Sequence, residues 1–183
     1  IFWRKQQIGQ YGFQVEEFIP NKIDVKIKAP ESQLLTLEPL KFSVSAEHKF
    51  GGVAAGLKVT ARVDLQKHQQ QGVPGYEQHQ FGAPGVVFGA KPHEFGEQTL
   101  SPLGTVDYAY DWPQGIPLSH NLVANLATTV IDDAGRGVAQ YKAIILYAFT
   151  QYVGIKRLGD DTLQIKRPVR FNVVNVAQNG KPV

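Results

Sequence analysis

The stretch Pro39-Leu40-Lys41-Phe42-Ser43-Val44 decides the fold, because it returns 129 residues later as Pro168-Val169-Arg170-Phe171-Asn172-Val173. Each copy reads proline, branched aliphatic residue, cation, phenylalanine, small polar residue, valine. Ile27-Lys28 precedes the first copy as Ile155-Lys156 precedes the second. Self-similarity at a fixed period indicates repeated copies of one folded unit. Few residues follow the second copy, so we expect one complete unit and the opening of another.

Composition narrows the functional classes open to this chain of 183 residues, whose 19 cations and 16 anions give a net charge of +3. Like charges never form a long block, so the sequence predicts no nucleic-acid partner. Cysteine is absent, which excludes disulfides and thiolate sites within the chain. No apolar run approaches the roughly 20 residues of a membrane helix, so we expect membrane attachment only through an anchor outside this segment.

Short alternating segments between glycines and prolines predict an all-β protein. Residues 23–27, 41–47 and 57–65 each alternate apolar and polar side chains, the pattern of a half-buried strand. Phe42, Val44 and Ala46 are predicted to face inward. Because Gly51-Gly52 separates the second segment from the third, we predict that these two pair as a hairpin.

A second hairpin is predicted for residues 122–131 and 138–149, with a turn at 132–135 between them. Residues 29–39 read as a connection. Residues 66–104 carry turn chemistry, which fits either short irregular strands or a mobile loop. About seven strands between Pro20 and Phe149 predict an antiparallel β-sandwich of immunoglobulin-like architecture.

Histidines and carboxylates occur together in the irregular region, and such residues are typical metal ligands. His68, His79 and His93 share it with Glu77 and Glu94. Their spacing matches no compact ligand motif, so we interpret them as structural or surface residues. No nucleophile elbow or phosphate-binding loop is present, and we therefore predict neither an enzyme nor a cofactor.

One aromatic cluster offers a different function. Tyr108, Tyr110 and Trp112 lie beside Asp107 and Asp111, and aromatic rings of this kind stack on sugars or peptides. A strand that packs its rings into the sandwich core is the commoner explanation. The sugar-binding interpretation makes the chain a module of a tandem adhesin or of a carbohydrate-binding surface array, and it stays open at this point.

Three stretches resemble the alpha-2-macroglobulin and complement superfamily. GFQVEEFIPNKIDV, residues 12–25, is similar to the strand that leaves one macroglobulin domain and enters the next. FSVSAEHKFGGVAAGLKV, residues 42–59, is similar to the hairpin that follows in that family, in which an aromatic residue, glycines and small residues separate two strands. YVGIK at 152–156 with FNVVNVAQNGKPV at 171–183 resembles the opening of a further domain. Residues 66–127 match the family poorly.

The resemblance implies a macroglobulin-like β-sandwich from a bacterial member of the family. It assigns residues 1–19 to the last strand region of a preceding domain, 20–150 to a complete domain, and 151–183 to the start of the following domain. Neighbouring macroglobulin-like domains of the same chain are the implied direct partners. The residues implied to set domain orientation at the two interdomain junctions are Phe13, Val15, Phe18, Pro20, Tyr152, Val153 and Gly154.

The same resemblance implies a non-catalytic structural role in a broad-spectrum protease inhibitor that traps its target. Proteases are then partners of the full-length protein, which is expected in the periplasm and anchored to the inner membrane. Many family members capture the protease through a Cys-Gly-Glu-Gln thioester. This chain holds no cysteine. Any thioester therefore belongs to another part of the parent protein.

Overall fold

The computed structural model is built of β-strands. Two short ones, Phe2–Trp3 (β1) and Gln6–Gln7 (β2), pair antiparallel. The other residues that the structure describes are 20–35, 38–68, 73, 75–82, 89–113, 116, 121–159 and 168–183. Within these ranges no helix is long and apolar enough to cross a membrane.

One face of the sandwich is a three-stranded antiparallel sheet. Its strands are Ile23–Lys28 (β3), Leu40–His48 (β5) and Thr105–Tyr110 (β9), with β5 in the centre. Side chains alternate along β5, so Phe42, Val44 and Ala46 are buried while their neighbours are exposed or half-buried. The predicted inward face of this strand is confirmed.

The opposite face is a five-stranded sheet. Its strands are Ser32–Leu34 (β4), Lys58–Lys67 (β6), His93–Thr99 (β8), Leu122–Ile131 (β10) and Gly137–Tyr147 (β11). They lie in the order β4-β11-β10-β6-β8, and only β4 runs parallel to its neighbour. The predicted hairpin of residues 122–131 with 138–149 is confirmed as β10 paired with β11.

The turn of this hairpin is organised by Asp132, which is buried. One carboxylate oxygen accepts hydrogen bonds from the backbone N–H groups of Ala134 and Arg136, each at 2.9 Å, and the other accepts from the Arg136 guanidinium at 3.0 Å. The pKa of Asp132 is lowered, chiefly by the Arg136 backbone hydrogen bond. The turn also uses Gly135, which has φ +77° and donates its N–H to the Asp132 carbonyl at 2.8 Å.

Aromatic rings join the two sheets across the core. Phe42 on β5 stacks on Tyr108 of β9 with ring centroids 5.0 Å apart, and it meets Phe95 of β8 edge-on at 5.7 Å. Since Phe95 belongs to the five-stranded sheet, these contacts show that the sheets pack face to face. Each large apolar side chain buried in this way contributes about 1.5 to 3 kcal/mol.

The predicted hairpin between residues 41–47 and 57–65 is wrong. β5 pairs with β3 and β9, whereas β6 pairs with β10 and β8 in the opposite sheet. The chain does turn at Gly51-Gly52, where His48 N–H donates to the Gly52 carbonyl at 2.9 Å, but it then crosses the core through the fully buried Ala54. Alternation identifies a half-buried strand but does not distinguish a neighbour in one sheet from a partner in the facing sheet.

Strands β4 and β8 lie where the sequence shows no clear pattern. β4 falls inside the expected connection 29–39, and β8 falls inside the irregular stretch 66–104. β8 is an edge strand whose side chains are mostly exposed, and a bulge at Gly96, with φ +71°, breaks its register against β6. An exposed, bulged edge strand has no apolar alternation to detect.

The remaining strands form a separate three-stranded sheet. They are Gln80–Phe81 (β7), Gln151–Leu158 (β12) and Arg170–Ala177 (β13), and β12 lies between the other two. The repeated sequence occupies the same place in both copies. Ile27 lies opposite Val44 in the pair β3–β5, and Ile155 lies opposite Val173 in the pair β12–β13.

The repeat extends to individual backbone hydrogen bonds in the turn that ends each copy. His48 N–H donates to the Gly52 carbonyl at 2.9 Å, and Ala177 N–H donates to the Lys181 carbonyl at 2.8 Å. An isolated bridge follows in both copies, as the pairs Glu47–Val53 and Val176–Pro182. After each bridge, one more backbone hydrogen bond follows: Ala54 N–H donates to the Ala46 carbonyl, and Val183 N–H donates to the Asn175 carbonyl, both at 3.1 Å. All of these atoms are related by the same offset of 129 residues.

Candidate functional site: the junction before the second copy

Asn121 is the centre of the junction where the sandwich passes into the separate sheet. Its side chain is buried, and its Oδ1 accepts hydrogen bonds from the Ala148 N–H at 3.1 Å and from the Tyr152 hydroxyl. Its carbonyl accepts from the His68 N–H at 2.9 Å. One residue therefore ties together the ends of β6 and β11 and the starts of β10 and β12.

Tyr152 closes the turn between β11 and β12. Its hydroxyl accepts a hydrogen bond from the Phe149 N–H at 3.2 Å while it donates to Asn121. The Phe149 ring lies edge-on to the Tyr152 ring at 6.1 Å. Burial raises the pKa of the Tyr152 hydroxyl, although its hydrogen bonds act in the opposite direction. The hydroxyl is therefore protonated near pH 7 and can donate to Asn121.

A segment of the sandwich reaches across to the second copy. We call residues 75–82 the strap. Within it, Phe81 and Gln80 pair with Gly154 and Ile155 at the outer edge of β12. A Cβ atom at Gly154 would lie 2.5 Å from Phe81 Cε1, closer than real Cβ contacts allow. Glycine is therefore required at position 154 for the Phe81 ring to pack against β12.

A second contact holds the strap to β13. His79 Nε2 lies 2.8 Å from Asn172 Oδ1, and the Tyr76 ring packs edge-on against His79 at 5.4 Å. Inside the strap, His79 N–H donates to the Tyr76 carbonyl at 2.9 Å. The Glu77 carboxylate accepts from its own N–H and from that of Gly75, and these bonds lower its pKa. The strap is thus a structured turn that presents His79 and Phe81 to one face of the separate sheet.

The junction residues named from sequence have different positions in the structure. Tyr152 and Gly154 lie together in these contacts. Val153 points to the opposite face of β12 and is 65% exposed, and Pro20 is also exposed. Phe13, Val15 and Phe18 lie outside the described residues. The roles of all seven in domain orientation stay predictions.

Phe81, Asn121 and Asn172 were missed by the sequence reasoning, which named Gly154 at the junction and His79 only among possible metal ligands. Gly154 inside a strand is a signal of close approach by another group, and that group is Phe81. His79 and Asn172 meet across 93 positions, which no local pattern reveals. Asn121 precedes an ordinary apolar strand and carries no signal of its buried role.

The irregular-region histidines lie in different surroundings. His79 contacts Asn172, whereas the His93 ring packs edge-on against Phe95 at 4.6 Å. In the part of the chain that the structure describes, no three histidine, aspartate or glutamate residues come together as metal ligands.

The aromatic cluster belongs to the core. Tyr108 and Tyr110 are each 4% exposed, and burial raises the pKa of both hydroxyls. The Trp112 indole N–H donates to the Glu38 carbonyl at 2.7 Å, and the ring packs edge-on against Tyr110 at 5.6 Å. The core interpretation is confirmed. Because the two tyrosine rings are buried and the half-buried Trp112 ring packs against the core, the described residues do not favour the sugar-binding alternative.

Comparison with known proteins agrees with this architecture. The sequence model of the family described as "Bacterial Alpha-2-macroglobulin MG5 domain" matches residues 21–145. The chain belongs to this family. This macroglobulin domain is similar to the alpha-2-macroglobulins of two Xylella fastidiosa strains, Temecula1 and 9a5c, each 22% identical over 182 residues. Those matches cover 97% of the chain but only 11% of either relative.

Solved structures of bacterial alpha-2-macroglobulins show the same fold. The native conformation of the Escherichia coli protein superposes with a TM-score of 0.69 at 17% identity, covering 92% of this chain and 11% of that one. The E. coli protein activated by porcine elastase gives 0.68 at 17% identity, covering 89% and 15%. The expected all-β macroglobulin-like fold and the family resemblance are both confirmed.

Proposed function

We propose that this macroglobulin domain is a non-catalytic structural module of a bacterial alpha-2-macroglobulin that traps proteases. Family membership carries the proposal, and the elastase-activated E. coli relative supports proteases as partners of the parent. The chain spans about a ninth of its curated relatives, and the proposed contribution of the module is the packing of its sandwich and junction.

We place residues 151–183 at the start of a following domain of the same type. The observation behind this assignment is the shared backbone bonding of the two copies, in which β12 and β13 repeat the register and closing turn of β3 and β5. Residues 1–19 are assigned to a preceding domain on the sequence resemblance. Neighbouring macroglobulin-like domains are accordingly the direct partners of this module.

The junction is proposed to hold the sandwich and the second copy in one fixed orientation. When the parent protein changes shape, a movement of one domain is then passed to the next. Asn121 and Tyr152 join the sandwich to β12 through buried and half-buried hydrogen bonds, and the strap joins it to β12 and β13 through the Phe81–Gly154 pair and the His79–Asn172 contact. A module of this kind moves as one body when the parent changes shape.

The experiment is a trapping assay on the full-length protein with trypsin. Adducts of high mass on a denaturing gel that disappear after methylamine treatment indicate covalent capture. Trypsin that still cleaves a small peptide but not a large protein indicates a non-covalent trap. Trypsin that remains fully active on both substrates, with no adduct, contradicts the proposed function.

The module's part in trapping is tested by Gly154→Val, which removes the space for Phe81. We expect trapping by the full-length variant to fall well below that of the control Thr60→Val, which changes an exposed residue on the outer face of β6. Equal trapping by the two variants contradicts the role of the junction. The proposed periplasmic location with an inner-membrane anchor comes from the family resemblance, and it is tested by osmotic-shock fractionation of producing cells.

A further inference from the structure

The outer edge of β13 is unpaired, whereas the same edge of its counterpart β5 is paired. Among the residues that the structure describes, β13 has β12 on one side and no strand on the other. β5 lies in the centre of its sheet, between β3 and β9. The described part of the second copy therefore repeats β3 and β5 without a counterpart of β9.

The closing turn shows which backbone groups of β13 point to this edge. Val183 N–H folds back along it and donates to the Asn175 carbonyl at 3.1 Å. In an antiparallel strand the N–H and the carbonyl of one residue point to the same side, and this direction alternates along the strand. The backbone groups of Phe171 and Val173 therefore also point outward, and those of the residues between them point to β12.

In the first copy the corresponding groups of β5 are bound by β9 and by the glycine before it. β9 lies opposite Phe42 and Val44. Just before the start of β9, the Gly104 carbonyl accepts a hydrogen bond from the Ala46 N–H at 3.0 Å. The counterparts of these three β5 residues are the three residues whose backbone groups point outward from β13.

Glycine is required at position 104 by the contact with β5. Its φ is +68°, and a Cβ atom there would lie 2.8 Å from the Ala46 carbonyl oxygen. A backbone oxygen within a sheet cannot move aside as a side chain does, so only glycine fits. The Asn175 carbonyl is held by the closing turn in the same way as that of Ala46. A strand that reaches this end of β13 therefore needs a glycine at the same place.

β13 also differs from an edge strand that is built to stay exposed. β8 ends its sheet with a bulge at Gly96 and with the charged residues Glu94 and Glu97. Bulges, charges and proline keep further strands from pairing with an edge. From Phe171 to Ala177 the sequence of β13 contains neither a charged residue nor a proline. This edge is thus unprotected against an incoming strand.

We propose that the outer edge of β13 binds a strand of the following domain that is the counterpart of β9. The strand runs antiparallel to β13, and it directs apolar side chains to the face that carries the exposed Phe171 and Val173. A glycine precedes it, and the carbonyl of this glycine accepts from the Asn175 N–H. The inference rests on the proposed function, because it needs a following macroglobulin domain. If that domain keeps the 129-residue period, the glycine lies roughly 50 residues after Val183.

The first test is amide hydrogen exchange in the full-length protein, measured at single residues by mass spectrometry. The N–H groups of Phe171, Val173 and Asn175 report on the added strand. Those of Asn172 and Val174 are internal controls, since they point to β12. We expect the outward amides to exchange less than about tenfold faster than the controls, and a larger ratio overturns the proposal.

The second test identifies the bound segment by photo-crosslinking in the full-length protein. A benzophenone amino acid replaces the exposed Arg170 of β13, and the matched control replaces Gln140, an exposed residue of β11. We expect the first probe to crosslink, several-fold more than the second, to a segment roughly 55 residues after Val183. Crosslinks to another polypeptide, crosslinks to a strand that no glycine precedes, or equal yields from the two probes overturn the proposal.

Trapping of trypsin by the same samples separates this inference from the proposed function. A full-length protein that traps trypsin but has fast-exchanging outward amides contradicts the strand added to β13 alone. A protein that does not trap trypsin yet gives the expected crosslink contradicts the proposed function alone.

Discussion

The two copies of the repeat have the same backbone and opposite surroundings. In the first, Phe42 and Val44 are 5% and 0% exposed beneath the five-stranded sheet. In the second, Phe171 and Val173, at the same places in the register, are 53% and 62% exposed. Strand pairing and the closing turn therefore depend on local sequence, whereas burial depends on the sheet that lies opposite.

The second copy leaves a continuous apolar surface, which we call the open face. It consists of Val153, Ile155, Val169, Phe171 and Val173, all between 43% and 65% exposed. Their counterparts in the first copy line the sandwich core. A patch of this kind marks an interaction surface. By comparison with the first copy, we propose that a facing sheet of the following domain covers it. Val153 is accordingly expected to contribute to the core of the following domain.

The largest expected difference between the copies is in the cost of removing the matched phenylalanine. Phe42→Ala should lower the free energy of unfolding of this chain by about 3 to 5 kcal/mol, because it leaves a cavity between the sheets. Phe171→Ala should change it by about 0.5 kcal/mol or less. Urea unfolding followed by circular dichroism measures both, and equal losses would mean that the open face is already packed in this chain.

The next comparison concerns Gly154 and its counterpart Lys26. Gly154→Val should cost about 1 to 3 kcal/mol, because the new side chain collides with Phe81. Lys26→Val loses only an exposed ion pair with Glu47 and should change stability by less than about 1 kcal/mol. In hydrogen exchange, the amides of Gln80 and Phe81 should lose protection in the Gly154 variant only. Full protection in that variant argues against the strap contact.

Loss of the Tyr152 hydroxyl should loosen the attachment of the second copy to the sandwich without changing the strands of either copy. Tyr152→Phe removes the donor to Asn121 and the acceptor of the Phe149 N–H, at an expected cost of about 1 kcal/mol. Tyr141→Phe is the matched control, since Tyr141 is 72% exposed. Small-angle scattering of the full-length protein should show a change of shape for the first variant alone. An unchanged curve for both variants counts against a rigid junction.

The smallest effect is expected at the tip of the strap. Asn172→Ala removes the contact with His79, which is worth about 0.5 to 1 kcal/mol at an exposed site. The matched variant Ser43→Ala removes no hydrogen bond with another described residue and should leave the unfolding midpoint of this chain unchanged. Exchange of the strap amides should be faster in the Asn172 variant. The contact is unimportant if the two variants exchange alike.

Sequence reasoning succeeded for the strands and turns that are determined by residues close together in the chain. The repeated hexapeptide predicted two equivalent strands, and the alternation of residues 57–65 identified β6, because both depend on side-chain periodicity alone. The Asp132 turn was also predicted correctly, because its hydrogen bonds join residues no more than four positions apart.

The failures concern partners that are distant in sequence. Residues 41–47 and 57–65 were assigned to one sheet because a turn joins them, yet packing across the core places them in facing sheets. For residues 66–104 the sequence left short irregular strands and a mobile loop as alternatives, and the structure has the short strands β7 and β8. Their bounds were not predicted because an exposed edge strand carries little apolar pattern. At the junction, Gly154 and Tyr152 were named from sequence, but Asn121, His79 and Phe81 become visible only when the chain is folded.

Hydroxyl-radical footprinting of Phe42 and Phe171 tests the central claim most directly. The measurement compares the oxidation rates of the two residues in this 183-residue chain and in the full-length protein. We predict that Phe42 is protected in both, and that Phe171 is reactive in the chain and protected in the full-length protein. A Phe171 that reacts equally fast in the full-length protein would contradict the assignment of the second copy to a following sandwich.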